Sequence, residues 1–184
     1  SALSAYLFVV HILTARNPLI PPGIFRDRNF TVGLFGTFAF GSANMMVTIL
    51  LPIMLRNQLG YPIELVGIVM VPRTFGTLIG QWLIAILITR MDARHLIAMG
   101  AIMSATSTWI MSGWSLDVSP WQVVWPAMLH GTSGGFLWVC FNSLVVSTLD
   151  ARYREHGVPF YYLSFNVGFS FGVAGILAYW TTSA

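Results

Sequence analysis

Apolar runs of helical length alternate with short polar turns from one end of this chain to the other. The first run, residues 2–14, falls short of the about 20 apolar residues that a bilayer-spanning helix needs. It reads as the end of a truncated transmembrane helix over residues 1–15. Residues 16–29 carry Pro18, Pro21, Pro22 and Gly23, which exclude a continuous helix and predict a loop. Five longer runs follow, at 30–55, 63–89, 95–114, 121–149 and 158–180. The turns RNQLGYP, RMDAR, GWSLDVSP and DARYREHG separate them, Pro72 predicts a break in the second, and Ser119-Pro120 marks a helix start. In lipid the backbone must satisfy its own hydrogen bonds, so exposed spans are helical. The expected fold is all-α: a polytopic bundle of five full spans over residues 30–184, preceded by the truncated helix. The chain opens without Met inside an apolar run, which reads as a piece of a longer protein.

Composition places most of this surface in lipid. Of 184 residues, 8% are charged and 56% hydrophobic, against about 25% charged in soluble domains. Function is therefore expected in a cavity between helices. The net charge of +3 comes from nine arginines, no lysine and six acids. The arginines are scattered over loops without a basic stripe, so nucleic acid is not an expected partner. Cys140 is the single cysteine, which excludes an intramolecular disulfide or a multi-cysteine metal site.

Arginine also orients the chain. If the spans alternate, Arg16, Arg26, Arg28, Arg90, Arg94, Arg152 and Arg154 share one side, and Arg56 lies on the other. The arginine-rich side, with loops 16–29, 90–94 and 150–157, is expected to be cytoplasmic. Trp114, Trp121 and Trp180 near span ends suit an interfacial aromatic belt.

Arg73 is the sharpest candidate for chemistry. It follows Pro72 inside an apolar span, where a charge costs roughly 2.5–3.5 kcal/mol on insertion scales. It reads as a cavity-lining group that contacts substrate or tunes a carboxylate elsewhere, or else as a snorkelling or structural arginine capping carbonyls freed by the Pro72 kink. In RMDAR, with Gly80 upstream, Arg90, Asp92 and Arg94 can pair and cap the flanking helices. His130 at mid-span could titrate and carry protons, or be a neutral side chain bonded between helices. Gly131, Gly134 and Gly135 give a smooth face for close helix approach. Trp138, Phe141 and Asn142 share one helical face, suited to flat, apolar and often cationic ligands or simply to packing. Asn44 and Asn166 are polar mid-span positions facing a pathway or bridging helices. Gly168 and Gly172 form a small-residue packing motif, extended by Gly175. No metal-ligand cluster, phosphate loop or nucleophile elbow occurs. These absences point away from an enzyme and from a resident cofactor; a transporter built this way would draw on an ion gradient or a partner subunit.

Taken in order, RNFTVG (28–33), LLPIMLRNQLGYP (50–62), GIVMVPRTFGT (67–77), RMDARHLIAMG (90–100) and SLDVSPWQVVWPAMLHG (115–131) form a recognisable series. Over about residues 16–182 the chain resembles the C-terminal half of EmrB/QacA-type drug:proton antiporters, fourteen-span members of the major facilitator superfamily. The resemblance implies that residues 2–14 end an inserted helix, and that the N-terminal half and last helix lie elsewhere in the same polypeptide. It implies proton-coupled efflux of amphiphilic or drug-like compounds by alternating access, in a bacterial inner membrane. A periplasmic adaptor and an outer-membrane channel are the implied partners, beside the lipid bilayer. Gly80, Arg90, Asp92 and Arg94 inherit the role of a cytoplasmic gating hairpin, and Arg73 a functional or gating role. The chain departs from the family pattern at His130, at DARYREHG and at Phe165. An uptake or metabolite carrier of the same superfamily, or an incomplete non-transporting membrane fragment, are the rival readings.

Overall fold

A computed structural model of the chain describes residues 27–114, 118–147 and 151–183. The apolar run at 2–14, most of the loop at 16–29, Asp117 and Asp150 lie outside the described residues. The described residues form five α-helices and no strand: α1 (Arg28–Asn57), α2 (Ile63–Leu87), α3 (Ala93–Ser112), α4 (Pro120–Ser147) and α5 (Ala151–Ser183).

Local chemistry sets the helix ends. The Asp27 carboxylate caps α1, accepting from the backbone N–H of Asn29 (2.8 Å) and Phe30 (3.1 Å). Beyond α1, Gly60 takes φ +66°, the left-handed turn that glycine enters without a Cβ penalty. Pro62, in extended backbone, then starts α2. The Tyr61 hydroxyl donates to the Val118 carbonyl (2.6 Å), tying this turn to the approach to α4.

Two sequence expectations are corrected. Pro72 does not break the second span; α2 runs helical through it. Proline fixes φ near the helical value and removes one N–H, a loss that helices packed in a membrane bundle tolerate. The loop expected at 150–157 is helical from Ala151 onward, and α5 also runs through Pro159. Ala, Arg and Glu in DARYREHG are good helix formers. Their polarity marks a helix that emerges from the bilayer.

The bundle is organised around α4, which packs against all four other helices; α2 takes its largest face, and α1 pairs with α5. Every residue from 130 to 137 is buried, including His130, Thr132 and Ser133. Between helices in lipid there is no hydrophobic driving force, so close backbone approach does the work. A methyl group at Gly76 or Gly80 would collide with the carbonyls of Met128 and Thr132. One at Gly131 or Gly135 would collide with those of Arg73 and Thr77. The register rises together on both helices, so α2 and α4 run parallel. Gly168 and Gly172 of α5 meet the Phe38 and Ser42 carbonyls of α1 in the same parallel sense. Ser42 and Ser164 add hydrogen bonds to the carbonyls of Gly168 (2.8 Å) and Leu34 (2.7 Å). Between α1 and α4 the register is opposed, Gly33 meeting Val145 and Gly36 meeting Phe141. Direction therefore alternates along the chain, as a multi-span topology requires.

Arg28, Arg90 and Arg94 consequently share one end of the bundle, and Arg56 lies at the other; all four are exposed. The outer faces carry exposed apolar side chains, among them Phe35, Trp82, Ile102, Trp109 and Phe171. Helix α1, helix α2 and residues Gly157–Ala178 of α5 are each long and apolar enough to cross a membrane. By composition alone α3 and α4 are not among these spans. In α4 the small and polar residues face protein, and in α3 the hydroxyls of Thr106, Ser107 and Thr108 bond to carbonyls of their own helix. Trp121 stands exposed at the α4 start, Trp114 packs half-buried in an apolar cluster, and the Trp180 side chain lies outside the described residues.

The α2–α4 seam makes a measurable demand on side-chain size. Gly76→Ala or Gly135→Ala is expected to destabilise the folded chain by about 1–3 kcal/mol through overpacking. Gly67→Ala, where a methyl meets open space, is expected to be neutral or slightly stabilising. Thermal melting in detergent micelles compares the three; equal melting temperatures would refute the seam.

Candidate functional site

The site begins with the backbone of Arg73, pressed onto Gly131 by the α2–α4 seam. From there the side chain crosses to α1. Its Nη2 donates to Asn44 Oδ1 (3.0 Å) and to Thr48 Oγ1 (2.7 Å). The Thr48 hydroxyl gives its single hydrogen to the Asn44 carbonyl (2.7 Å), which leaves its lone pairs for the guanidinium. Arg73 therefore neither snorkels nor caps carbonyls freed by Pro72; it bridges α2 to α1, two helices that touch little otherwise. Its Nε is buried without an acceptor.

Beside this bridge is a cavity of about 370 Å³. One wall is polar: Asn44, Arg73, Thr74, Thr77, Gln81 and His130. The other is apolar and largely aromatic: Phe40, Leu78, Trp138 and Phe165. Trp138 meets Phe165 edge-on at 4.8 Å between ring centres, and Phe40 lies 5.9 Å from Phe165. Tyr161 fixes this wall from behind, packing edge-on against Trp138 and donating from its hydroxyl to the Trp138 carbonyl (2.9 Å). His130 is 3% exposed, and its Nδ1 has no hydrogen-bond partner.

Four sequence candidates thus converge: Asn44, Arg73, His130 and Trp138. Three others do not. Phe141 faces a separate, mostly apolar groove of about 600 Å³ between α1 and α3. Trp138, Phe141 and Asn142 therefore do not line one pocket. Phe40 of α1 stands between, its ring 6.0 Å from Phe141 on one side and near Phe165 on the other. Asn142 lines none of the described cavities. Asn166 is exposed, and its amide donates to the Tyr162 carbonyl of its own helix (2.7 Å). The expected cluster at RMDAR is also absent: Arg90, Asp92 and Arg94 are exposed without an ion pair, and Asp92 starts α3 without a side-chain cap. Exposed charges in water gain little from pairing. Gly80 serves the α2–α4 seam. Among the described residues no group of three His, Cys, Asp or Glu side chains could hold a metal.

Thr48, Thr77, Gln81 and Phe40 escaped the sequence reading. The signal for two of them was present, since Arg73, Thr77 and Gln81 recur at four-residue spacing and so share a helix face. Gly76, a pillar of the seam, was equally visible as Gly76-x-x-x-Gly80.

Residues 18–184 match the Major Facilitator Superfamily. The chain belongs to that family. Its relatives include the colistin resistance protein EmrB of Acinetobacter baumannii, 25% identical over 175 residues, covering 91% of this chain and 33% of the relative. The fatty acid resistance protein FarB of Neisseria gonorrhoeae is 25% identical over 140 residues, covering 76% and 28%. MdtD of Yersinia pestis is 24% identical over 180 residues, covering 96% and 38%. The chain spans about a third of the length of these relatives. Superfamily members are membrane transporters and not enzymes, and the relatives' names accord with the EmrB/QacA-type resemblance.

The Arg73 bridge can be tested apart from transport. Asn44→Leu combined with Thr48→Val removes both acceptors and leaves a partly buried charge unpartnered. The expected cost is about 1.5–3 kcal/mol, read by chemical denaturation in mixed micelles. Adding Arg73→Met should recover most of it. A double variant as stable as the parent would show that the bridge contributes nothing.

Proposed function

We infer that this chain forms the substrate-facing wall of one half of a proton-coupled efflux carrier for small amphiphilic compounds. The observation that carries the reading is the cavity between α1, α2, α4 and α5. It combines a membrane-embedded arginine with an aromatic wall, and intramembrane ionisable groups default to transport pathways. The resistance named in two relatives, to colistin and to fatty acids, supports efflux as the direction.

In this reading a second helix bundle from the same polypeptide closes the cavity from the opposite side. Alternating access arises as the two bundles rock about the site. Glycine-lined seams let each bundle move as a rigid body. The arginine-rich end, carrying Arg28, Arg90 and Arg94, faces the cytoplasm of a bacterial cell across its inner membrane. The exposed α2–α3 turn at that end, with Arg90, Asp92 and Arg94, is free to contact the other bundle as a gating hairpin. A periplasmic adaptor and an outer-membrane channel complete the export path in cells with two membranes. Energy comes from the proton gradient.

The test uses the full-length carrier that contains this chain, expressed in cells stripped of their own efflux pumps. Expected are lowered accumulation of an amphiphilic dye, collapse of that effect with an uncoupler, and loss of most of it in Arg73→Ala. The 184-residue chain in liposomes is expected to move no dye under a pH gradient. Dye extrusion that survives the uncoupler would remove proton coupling from the proposal, and dye accumulation driven inward would replace efflux with uptake.

A further inference from the structure

We propose that the cavity beside Arg73 selects amphiphiles with a carboxylate or similar monoanionic head, and discriminates against cations of the same shape. The proposal rests on reading the chain as part of a carrier for amphiphilic compounds, and names the charge its site prefers.

Arginine brings five N–H donors to any site. Here only those of Nη2 are used within the protein, on Asn44 and Thr48. The buried Nε has no acceptor, and no described residue accepts from Nη1. Both partners of Nη2 are neutral, so the positive charge is solvated locally but not compensated. Among the described residues no carboxylate lines the cavity. Its other polar groups are Asn44 from α1, Thr74, Thr77 and Gln81 from α2 and His130 from α4, so among the described residues Arg73 is its one fixed charge. The unpartnered Nδ1 belongs to a ring almost wholly withdrawn from solvent. It is a second polar group that the described protein leaves unsatisfied, on a residue that borders the same cavity.

An acid head group supplies the acceptors that the guanidinium lacks, through charge-assisted bonds that are stronger than neutral ones. Its apolar body then lies along Trp138, Phe165 and Phe40. The aromatic wall alone would suit a cation. The guanidinium reverses that preference, because like charges in a desolvated site repel far more than in water.

Anthracene-9-carboxylate, 9-anthracenylmethylammonium and 9-anthracenemethanol share a ring system and differ in charge. Their binding to the full-length carrier that contains this chain, in phosphatidylcholine nanodiscs, is measured by equilibrium dialysis and anthracene fluorescence. The carboxylate is expected to bind about tenfold or more tightly than the ammonium. Arg73→Gln is expected to erase that ratio, Arg73→Lys to keep most of it, and Arg56→Gln, at an exposed end, to leave it unchanged. If Arg73→Gln fails to fold, the parent's carboxylate-to-ammonium ratio decides alone. Equal binding of the three probes, tighter binding of the ammonium, or a ratio unaltered in folded Arg73→Gln would each overturn the proposal. A carrier that pumps cationic dye while this chain shows no carboxylate preference would sink the anion site and leave efflux standing. Carboxylate selectivity in a carrier without proton-driven export would do the reverse.

Discussion

The contact between the Arg73 backbone and Gly131 is the constraint on which the site depends. Two parallel helices come close enough there for the backbone of one to rest on a glycine of the other. Gly76, Gly80 and Gly135 repeat the contact along the same seam. The closeness fixes where the Arg73 side chain starts, and so which residues of α1 it can reach. A β-carbon at position 131 would push α2 outward and carry the guanidinium away from Asn44 and Thr48. Packing this tight is what membrane helices use in place of the hydrophobic effect, and here it also aims a charge.

The composition of α4 follows from its position. A helix surrounded by four others has little lipid to face, so it need not be uniformly apolar. It can carry Thr132 and Ser133 at its buried centre because the hydroxyls return to carbonyls one turn back: Thr132 to Met128 (2.9 Å) and Ser133 to His130 (2.7 Å). Its glycines then make room for the neighbours. The same logic explains why α1, α2 and α5 read as strong spans while α4, the most buried, does not.

Much of this was legible in the sequence, and the failures have physical causes. The number and order of the helices among the described residues were readable because lipid imposes one length and one hydrogen-bonding rule on every crossing. Arg73, Asn44, His130 and Trp138 stood out because polar or aromatic groups at mid-span are rare enough to notice. The grouping of Trp138 with Phe141 and Asn142 failed because helical phase gives a face, not a neighbour. Phe40 of α1 divides that face into two cavities, and no property of α4 reports where α1 crosses. RMDAR suggested a charge cluster because its residues alternate in sign, yet exposed turns give such pairs no reason to form. Pro72 and DARYREHG were read as breaks from residue type alone. A helix already packed, or emerging into water with good helix formers, carries both.

The Arg73 bridge couples the site to the bundle. Helices α1 and α5 form one tightly registered pair, and α2 with α4 forms another. Direct packing between α1 and α2 is slight, so the bonds from Arg73 Nη2 to Asn44 and Thr48 are a principal mid-span link between them. A ligand that binds the free donors of the guanidinium shares one delocalised charge with the two acceptors on Nη2. The site and the α1–α2 link are then coupled through one side chain, and by linkage a movement that separates the helices must also change the affinity of the site. A neutral bridge of two leucines would hold the helices equally well and couple to nothing. A charge that costs several kcal/mol to bury on an isolated helix is retained where binding and helix movement share a single hydrogen-bonding group.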